Sequence, residues 1–220
     1  SICLSMKNRF DLIIFDWDGT LMDSVDWIVH CLQYAARLHN CPIPDTQAAK
    51  DIIGLSIDKA TNILFPGIDA LTRQKLAHDY SAHFFSKGIS ADDLFQGVPE
   101  MLSELKFSGY KLAVATGKKH SSLKQSMQET GISDLFCTTR SADKTASKPD
   151  PLMIEEIVAE LGVSKHRTLM VGDSLHDMQL AQNAGVAAVA VTCGAHSAAV
   201  LQTYKPLLCL DYPTDLLSFL

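Results

Sequence analysis

The chain has no surplus of positive charge. Against 25 Asp and Glu stand 19 Lys and Arg, for a formal net charge of −6. This argues against sequence-independent nucleic-acid binding, which depends on basic side chains neutralising phosphates. The same sign repels small anions at long range, so any phosphate site has to build its positive charge locally. There is no C-x-x-C pair: the six cysteines (Cys3, Cys31, Cys41, Cys137, Cys193 and Cys209) are scattered, several within apolar segments. Buried free thiols in a reducing compartment are therefore expected rather than a disulfide framework. No apolar run approaches the roughly 18 residues needed to cross a membrane. The segment from Ser1 to Ser5 is too short for a secretory signal core. Cytoplasmic residence, with neither membrane nor nucleic acid as partner, is the expectation these absences leave. Internal repeats and low-complexity stretches are missing as well.

What is present is a chain of 220 residues, 47% of them hydrophobic. That suffices for one substantial core, or for a core with a modest second domain, and it is not a disordered composition. Leu12 to Phe15 is a short apolar run that reads as a buried parallel strand. Lys111–Thr116, Thr168–Asp173 and Val186–Val191 read the same way. Between them, Ser121–Thr130 and Leu152–Leu161 have helical spacing. They run into Gly131 and Gly162, suited to helix termination, and Pro151 is a good first-turn residue. Strands alternating with helices predict an α/β fold, a Rossmann-like and mainly parallel sheet built from right-handed β-α-β units. Residues 21–93 break this rhythm. Ser24 is a candidate N-cap for a helix running to about Asn40, where Cys41-Pro-Ile-Pro44 stops it. Helical patterns resume over 47–53, 57–64 and 72–87, with no convincing strand. The expectation is an all-helical domain over 21–93, inserted after the first strand into a core formed by 6–20 and 94–220.

The carboxyl ends of parallel strands form the rim on which α/β proteins place their sites. Asp16 and Asp18 follow the first strand and are separated by two positions, so extended geometry aims both into one crevice. Like charges there need a cation or a shared proton, although Asp18-Gly19-Thr20 is equally a good turn. Thr116-Gly117 ends the second strand and Gly172-Asp173 a later one, with Asp177 four residues on. Lys148, in Ser147-Lys148-Pro149-Asp150-Pro151, precedes a helix. A phosphate monoester is a dianion, so a carboxylate nucleophile needs charge compensation. Mg²⁺ takes oxygen ligands and uses one or two carboxylates plus substrate oxygens, a role open to Asp16 and Asp173. Lys148 adds positive charge, and the Thr116 hydroxyl and Gly117 N–H can donate to phosphate oxygens. Asp18 lies within reach of a leaving-group oxygen. Asp177 can orient a metal-bound water or Lys148 from one layer further out.

Other motifs fail. A P-loop needs glycine at 112 and Ser or Thr at 119, where Leu112 and Lys119 stand. Gly19 comes too early after Asp16 for an EF-hand, and G-x-S-x-G is absent. His176 reads as an exposed helix residue. Lys118, Lys119 and His120 read as a solvated helix start, with contact to substrate or to the helical insertion as the alternative. Trp17 is expected to pack at the hinge of that insertion and Trp27 in its core.

Asp16-Trp17-Asp18-Gly19-Thr20, Thr116, Lys148-Pro149 and Gly172-Asp173-x-x-x-Asp177 resemble the four ordered motifs of the haloacid dehalogenase (HAD) superfamily, over essentially the whole chain. The helical insertion resembles the cap of its phosphoglycolate-phosphatase-like branch. The resemblance implies a Mg²⁺-dependent phosphatase acting on a small phosphorylated metabolite. Asp16 would be the nucleophile that becomes an aspartyl-phosphate, with Asp18 as general acid and then base. Asp18 would also offer its main-chain carbonyl to Mg²⁺, beside Asp16 and Asp173. Gly19, Thr20, Thr116, Gly117 and Lys148 would hold phosphate, joined by Lys118 and by the cap residues Gly54 and Leu55. The Ile53-Gly54-Leu55-Ser56 segment reads either as a loop dipping toward the core or as a plain interhelical turn. Thr116-Gly117 departs from the Thr-Asn frequent in phosphoglycolate-like members. A phosphomutase, passing phosphate to a sugar hydroxyl, stays open. A receiver-like signalling domain ranks low, because its motif order differs and it needs no insertion.

Overall fold

The computed structural model describes residues 6–220, so Cys3 and the Ser1–Ser5 segment lie outside it. In chain order, β1 is Leu12–Phe15, followed by α1 Val25–Leu38, α2 Thr46–Asp51, α3 Ile57–Leu64 and α4 Ala70–Ser86. Then come α5 Val98–Phe107, β2 Lys111–Thr116, α6 His120–Thr130, β3 Thr138–Ser141 and α7 Leu152–Leu161. The chain closes with β4 Thr168–Gly172, α8 Leu175–Ala184, β5 Ala187–Val191, α9 Ala198–Gln202 and β6 Leu208–Leu210. Among the described residues the strands form one six-stranded sheet of order β3-β2-β1-β4-β5-β6, each pair parallel. β1 sits centrally, with β2 on one side and β4 on the other, at the point where the strand order reverses. Open α/β sheets place ligand crevices there.

The central strands β1 and β4 and most of β2 and β5 are apolar because both faces are covered. Ile13 and Phe15 of β1 join Leu112, Val114, Leu169 and Val171 in a cluster with Met101, Leu102 and Leu123 of α5 and α6. Leu12 and Ile14 point the other way, into a cluster with Met153, Ile154 and Ile157 of α7 and Leu180 of α8. Alternation along each strand thus feeds two helix layers. The cysteines Cys31, Cys41, Cys137, Cys193 and Cys209 are free, Cys31 being buried and Cys137 exposed. No helix among the described residues is long and apolar enough to cross a membrane.

Four helices, α1 to α4, occupy the chain between β1 and α5, and no strand interrupts them. Trp27 packs α1 on α4: its Nε1–H donates to the Phe84 carbonyl at 2.9 Å, and its ring stacks on His83 at 5.3 Å. The chain leaves and re-enters the sheet layer side by side. The Asp23 N–H donates to the Asp93 carbonyl at 2.8 Å and the Phe95 N–H to the Leu21 carbonyl at 2.9 Å. Trp17, fully buried, packs in the core next to these crossings, and its carbonyl accepts from Leu21 N–H at 2.9 Å. Ser24 sits at the N-cap position of α1, but its hydroxyl makes no cap bond. It donates instead to Asp18 Oδ1 at 2.7 Å.

Candidate active site

Asp16 follows β1 directly and is almost wholly buried. Its Oδ1 accepts from the Trp17 N–H at 2.6 Å and pairs with Lys148 Nζ at 3.1 Å, which fixes the carboxylate plane. Lys148 has no exposed surface, and its Nζ donates to Asp177 Oδ1 at 2.7 Å. Asp177 is aimed by the start of α8. Ser174 and Asp177 form a capping box in which the Ser174 hydroxyl accepts from Asp177 N–H at 3.3 Å. Asp177 Oδ2 accepts from the N–H groups of Asp173 and Ser174 at 3.1 and 3.2 Å. Two orphan donors of the helix end are satisfied, and the other carboxylate oxygen is left for the lysine.

Asp173 follows β4, next to β1 in the sheet, and is equally buried. Oδ1 accepts from Thr20 Oγ1 at 2.9 Å and Oδ2 from the Ala195 N–H at 2.8 Å. Gly19 runs so close, at φ +78°, that a Cβ there would collide with the Asp173 carboxylate. Glycine is the residue that suits both the left-handed backbone and the approach. Thr20 is thereby committed to holding Asp173 and does not line the cavity, whereas the sequence reading gave it to phosphate.

The carboxylates of Asp16, Asp173 and Asp177 offer oxygens that all lie within 4.8 Å of one another. Burial and the charges of Asp177 and Asp173 push Asp16 well above the usual carboxylate range, against the pull of Lys148. Burial, and then Asp177, push Asp173 from 3.8 up to about 7, although the bonds from Ala195 and Thr20 oppose this. Asp177 goes the other way: burial alone would raise it, but Lys148 and the hydrogen bonds it accepts hold it below the ordinary value. Burial disfavours the Lys148 charge, yet Asp16 and Asp177 outweigh burial and hold it above the ordinary lysine value. Three buried carboxyl groups facing one ammonium can all ionise only beside a further cation. That all-oxygen donor set fits a hard divalent cation.

Above Asp16 lies a cavity of about 80 Å³, floored by Asp16, Asp18, Thr116 and Gly117 and roofed by residues of α1, α3 and α4 and the 52–57 segment. Thr116 Oγ1 accepts from the Lys118 N–H at 3.1 Å, which leaves its hydroxyl hydrogen free to donate. Gly54 and Leu55 reach down to Gly117 so closely that a Cβ on residue 117 would meet both of their carbonyls. A Cβ at Gly54 would lie 3.9 Å from Asp16 Oδ2, so the segment hangs directly over that carboxylate. Further bonds hold it there: Ser56 N–H donates to Ser147 Oγ at 3.0 Å and Lys59 Nζ to the Lys148 carbonyl at 3.3 Å. Of the two readings open for residues 53–56, the loop that dips to the core is the observed one.

Residues 13–191 match the haloacid dehalogenase-like hydrolase family. The chain belongs to that family. It is 36% identical over 204 residues to the Probable phosphatase IndB of Dickeya dadantii, covering 91% of this chain and 89% of that protein. To the pyrophosphatase PpaX of Bacillus velezensis it is 30% identical over 210 residues, covering 95% of each. The crystal structure of a predicted phosphoglycolate phosphatase from Haemophilus somnus 129pt superposes with a TM-score of 0.81 at 25% identity. The match covers 96% of this chain and 98% of that one. The receiver-like alternative is thereby set aside.

Two expectations for this HAD-like hydrolase need correction. Lys118 does not belong to a solvated helix start. Its Nζ donates to Asp18 Oδ2 at 3.0 Å and lies 4.3 Å from the centroid of the Phe84 ring on α4. Only Lys119 and His120 are exposed there, and Lys119 sits at the cavity rim. His176 is partly buried rather than exposed, because its Nε2–H donates to the Asp51 carbonyl at the end of α2 (2.6 Å). His196 joins it. Its Nδ1 accepts from Leu175 N–H at 3.0 Å, so Nε2 carries the proton and reaches Asp51 Oδ1 at 3.2 Å. The sequence signalled Ser24 only as an N-cap and not as a partner of Asp18, and it gave no sign of His196, which acts through a contact between distant segments.

Proposed function

We propose that this hydrolase is a phosphatase that cleaves small phosphate monoesters through an aspartyl-phosphate on Asp16, with Mg²⁺ as cofactor. The observation that carries the reading is Asp16 itself: a buried carboxylate with one oxygen pinned by a backbone N–H and a lysine, and the other facing the cavity below Gly54. A pinned nucleophile at the floor of a small cavity gives the orientation that displacement at phosphorus requires. The family relatives named phosphatase and pyrophosphatase support the same class.

In the first half-reaction Asp16 Oδ2 forms a bond to phosphorus while the bond to the ester oxygen breaks. The departing oxygen takes a proton from Asp18, which faces the same cavity. In the second, a water attacks phosphorus, the bond to Asp16 breaks, and Asp18 takes the water's proton. Inorganic phosphate leaves, and both aspartates are restored. Lys148 and the Thr116 hydroxyl stabilise the charge on the transferring oxygens. Asp16 and Asp173, with the Asp18 carbonyl, would hold Mg²⁺, which neutralises phosphate charge when bound. Asp177 fixes Lys148.

The helical segment 21–93 serves as the cap over a core of 6–20 and 94–220, and the paired crossings at 21–23 and 93–95 serve as its hinge. Closure excludes water until the phosphoenzyme forms. A phosphate-release assay with a generic aryl phosphate tests the reading. Release with Mg²⁺ and none with EDTA is expected; equal release in EDTA would contradict the cofactor, and none under either condition the phosphatase.

A further inference from the structure

We infer that the leaving group of the ester is compact, uncharged and apolar, and that the cap selects it against leaving groups bearing a second anion. This rests on the phosphatase reading and names its substrate class. The cavity has two unlike halves. Its floor carries the chemistry: Asp16, Asp18, Thr116 and Lys118. Its roof is built from Ile28, Leu32, Ile52, Ile57, Ala77 and Tyr80, and among the described residues of 21–93 no charged side chain lines it. The only side-chain polar atoms the roof offers are the hydroxyls of Tyr80 and Ser81. A carboxylate or second phosphate pressed against that wall would lose its water and gain no counter-charge.

The cations nearby do not alter this. Lys148 is held by Asp16 and Asp177 beneath the floor. Lys118 is held by Asp18 and lies over Phe84. Lys119 is exposed at the rim, where a charge pair is screened and worth little. The space is also small, about 80 Å³, well under the roughly 300 Å³ at which pockets begin to take drug-sized ligands. A short branched alkyl chain suits it. Sugar leaving groups are disfavoured for a separate reason: their several hydroxyls would face a largely aliphatic roof whose side chains offer only the hydroxyls of Tyr80 and Ser81. The same shortage counts against transfer of phosphate to a sugar hydroxyl.

The test is a comparison of kcat/KM for phosphate release, with Mg²⁺ present, across methyl, propyl and isobutyl phosphate, a hexose phosphate, phosphoglycolate and inorganic pyrophosphate. The alkyl series should rise by about tenfold for each methylene that finds the wall. Propyl phosphate should exceed phosphoglycolate and pyrophosphate by about tenfold or more, even though pyrophosphate has the better leaving group. Phosphoglycolate, the hexose phosphate or pyrophosphate matching propyl phosphate would overturn the inference and leave the phosphatase reading standing. Release from none of the panel would overturn both. Leu32→Lys, which places an ammonium on the roof, should move the phosphoglycolate-to-propyl ratio about tenfold toward phosphoglycolate. An unchanged ratio in a folded variant would count against the wall as the discriminator, and the wild-type series decides alone if the variant does not fold.

Discussion

Lys148 shows how one residue can serve both the fold and the chemistry. Lysine is among the residues most rarely buried, and this one has no exposed surface. Its charge is tolerated because Asp16 and Asp177 lie at 3.1 and 2.7 Å. Removing it leaves buried carboxylates facing each other. Lys148→Ala should therefore lower stability by roughly 3–5 kcal/mol, the usual cost of breaking a buried pair. It should also raise the barrier to phosphoryl transfer by about 2–4 kcal/mol. Denaturant unfolding and kcat measured on the folded fraction separate the two effects, and wild-type values for both would remove Lys148 from the account. Asp173 gives a pH signature. Its ordinary value of 3.8 is pushed to about 7 without metal, so across that window the folded state keeps a proton that the unfolded chain has lost. Stability of the metal-free protein should then fall as pH rises from 3.8 to about 7. A cation replaces the proton, so the gap in Tm between Mg²⁺ and EDTA should widen over this range; a pH-independent gap would contradict it. At this scale the sequence showed the carboxylates, the lysine and Thr116, because motif spacing and strand ends place them. It did not show that Lys118 turns onto Asp18 and Phe84, or that Thr20 serves Asp173, because those partners come from segments far along the chain.

Elements legible in the sequence were those with strong apolar runs or helical periodicity. β1, β2, β4 and β5 are buried on both faces, and their composition says so. β3 and β6 were missed. Thr138-Thr139-Arg140-Ser141 is half-exposed and polar at one sheet edge, and Leu208–Leu210 is three residues at the other, so neither carries a buried-strand pattern. The 53–56 segment could not be resolved from sequence either, since what fixes it is contact with the core. Gly117 is the residue that lets it close. Gly117→Asn would drive a side chain into the Gly54 and Leu55 carbonyls. The segment should lift, and kcat/KM should drop about a hundredfold, as for a misplacement of about 1 Å, while circular dichroism stays that of the wild type. An unchanged kcat/KM would mean that the segment is not seated there during turnover.

For the molecule as a whole, the sheet order puts Asp16 and Asp173 on adjacent strands and Thr116 on the third, so three crossovers deliver one rim. The four inserted helices present an aliphatic face to the cavity, and Asp51 at the end of α2 is held by His176 and His196. Fold and site geometry therefore converge on one claim, that phosphate is carried by Asp16. The most direct measurement is acid-quenched single turnover with a radiolabelled phosphate ester and Mg²⁺, followed by digestion and mapping of the label. The account predicts label on the peptide containing Asp16 and none in Asp16→Asn. Release of phosphate with no labelled peptide, or label that persists in Asp16→Asn, would contradict it.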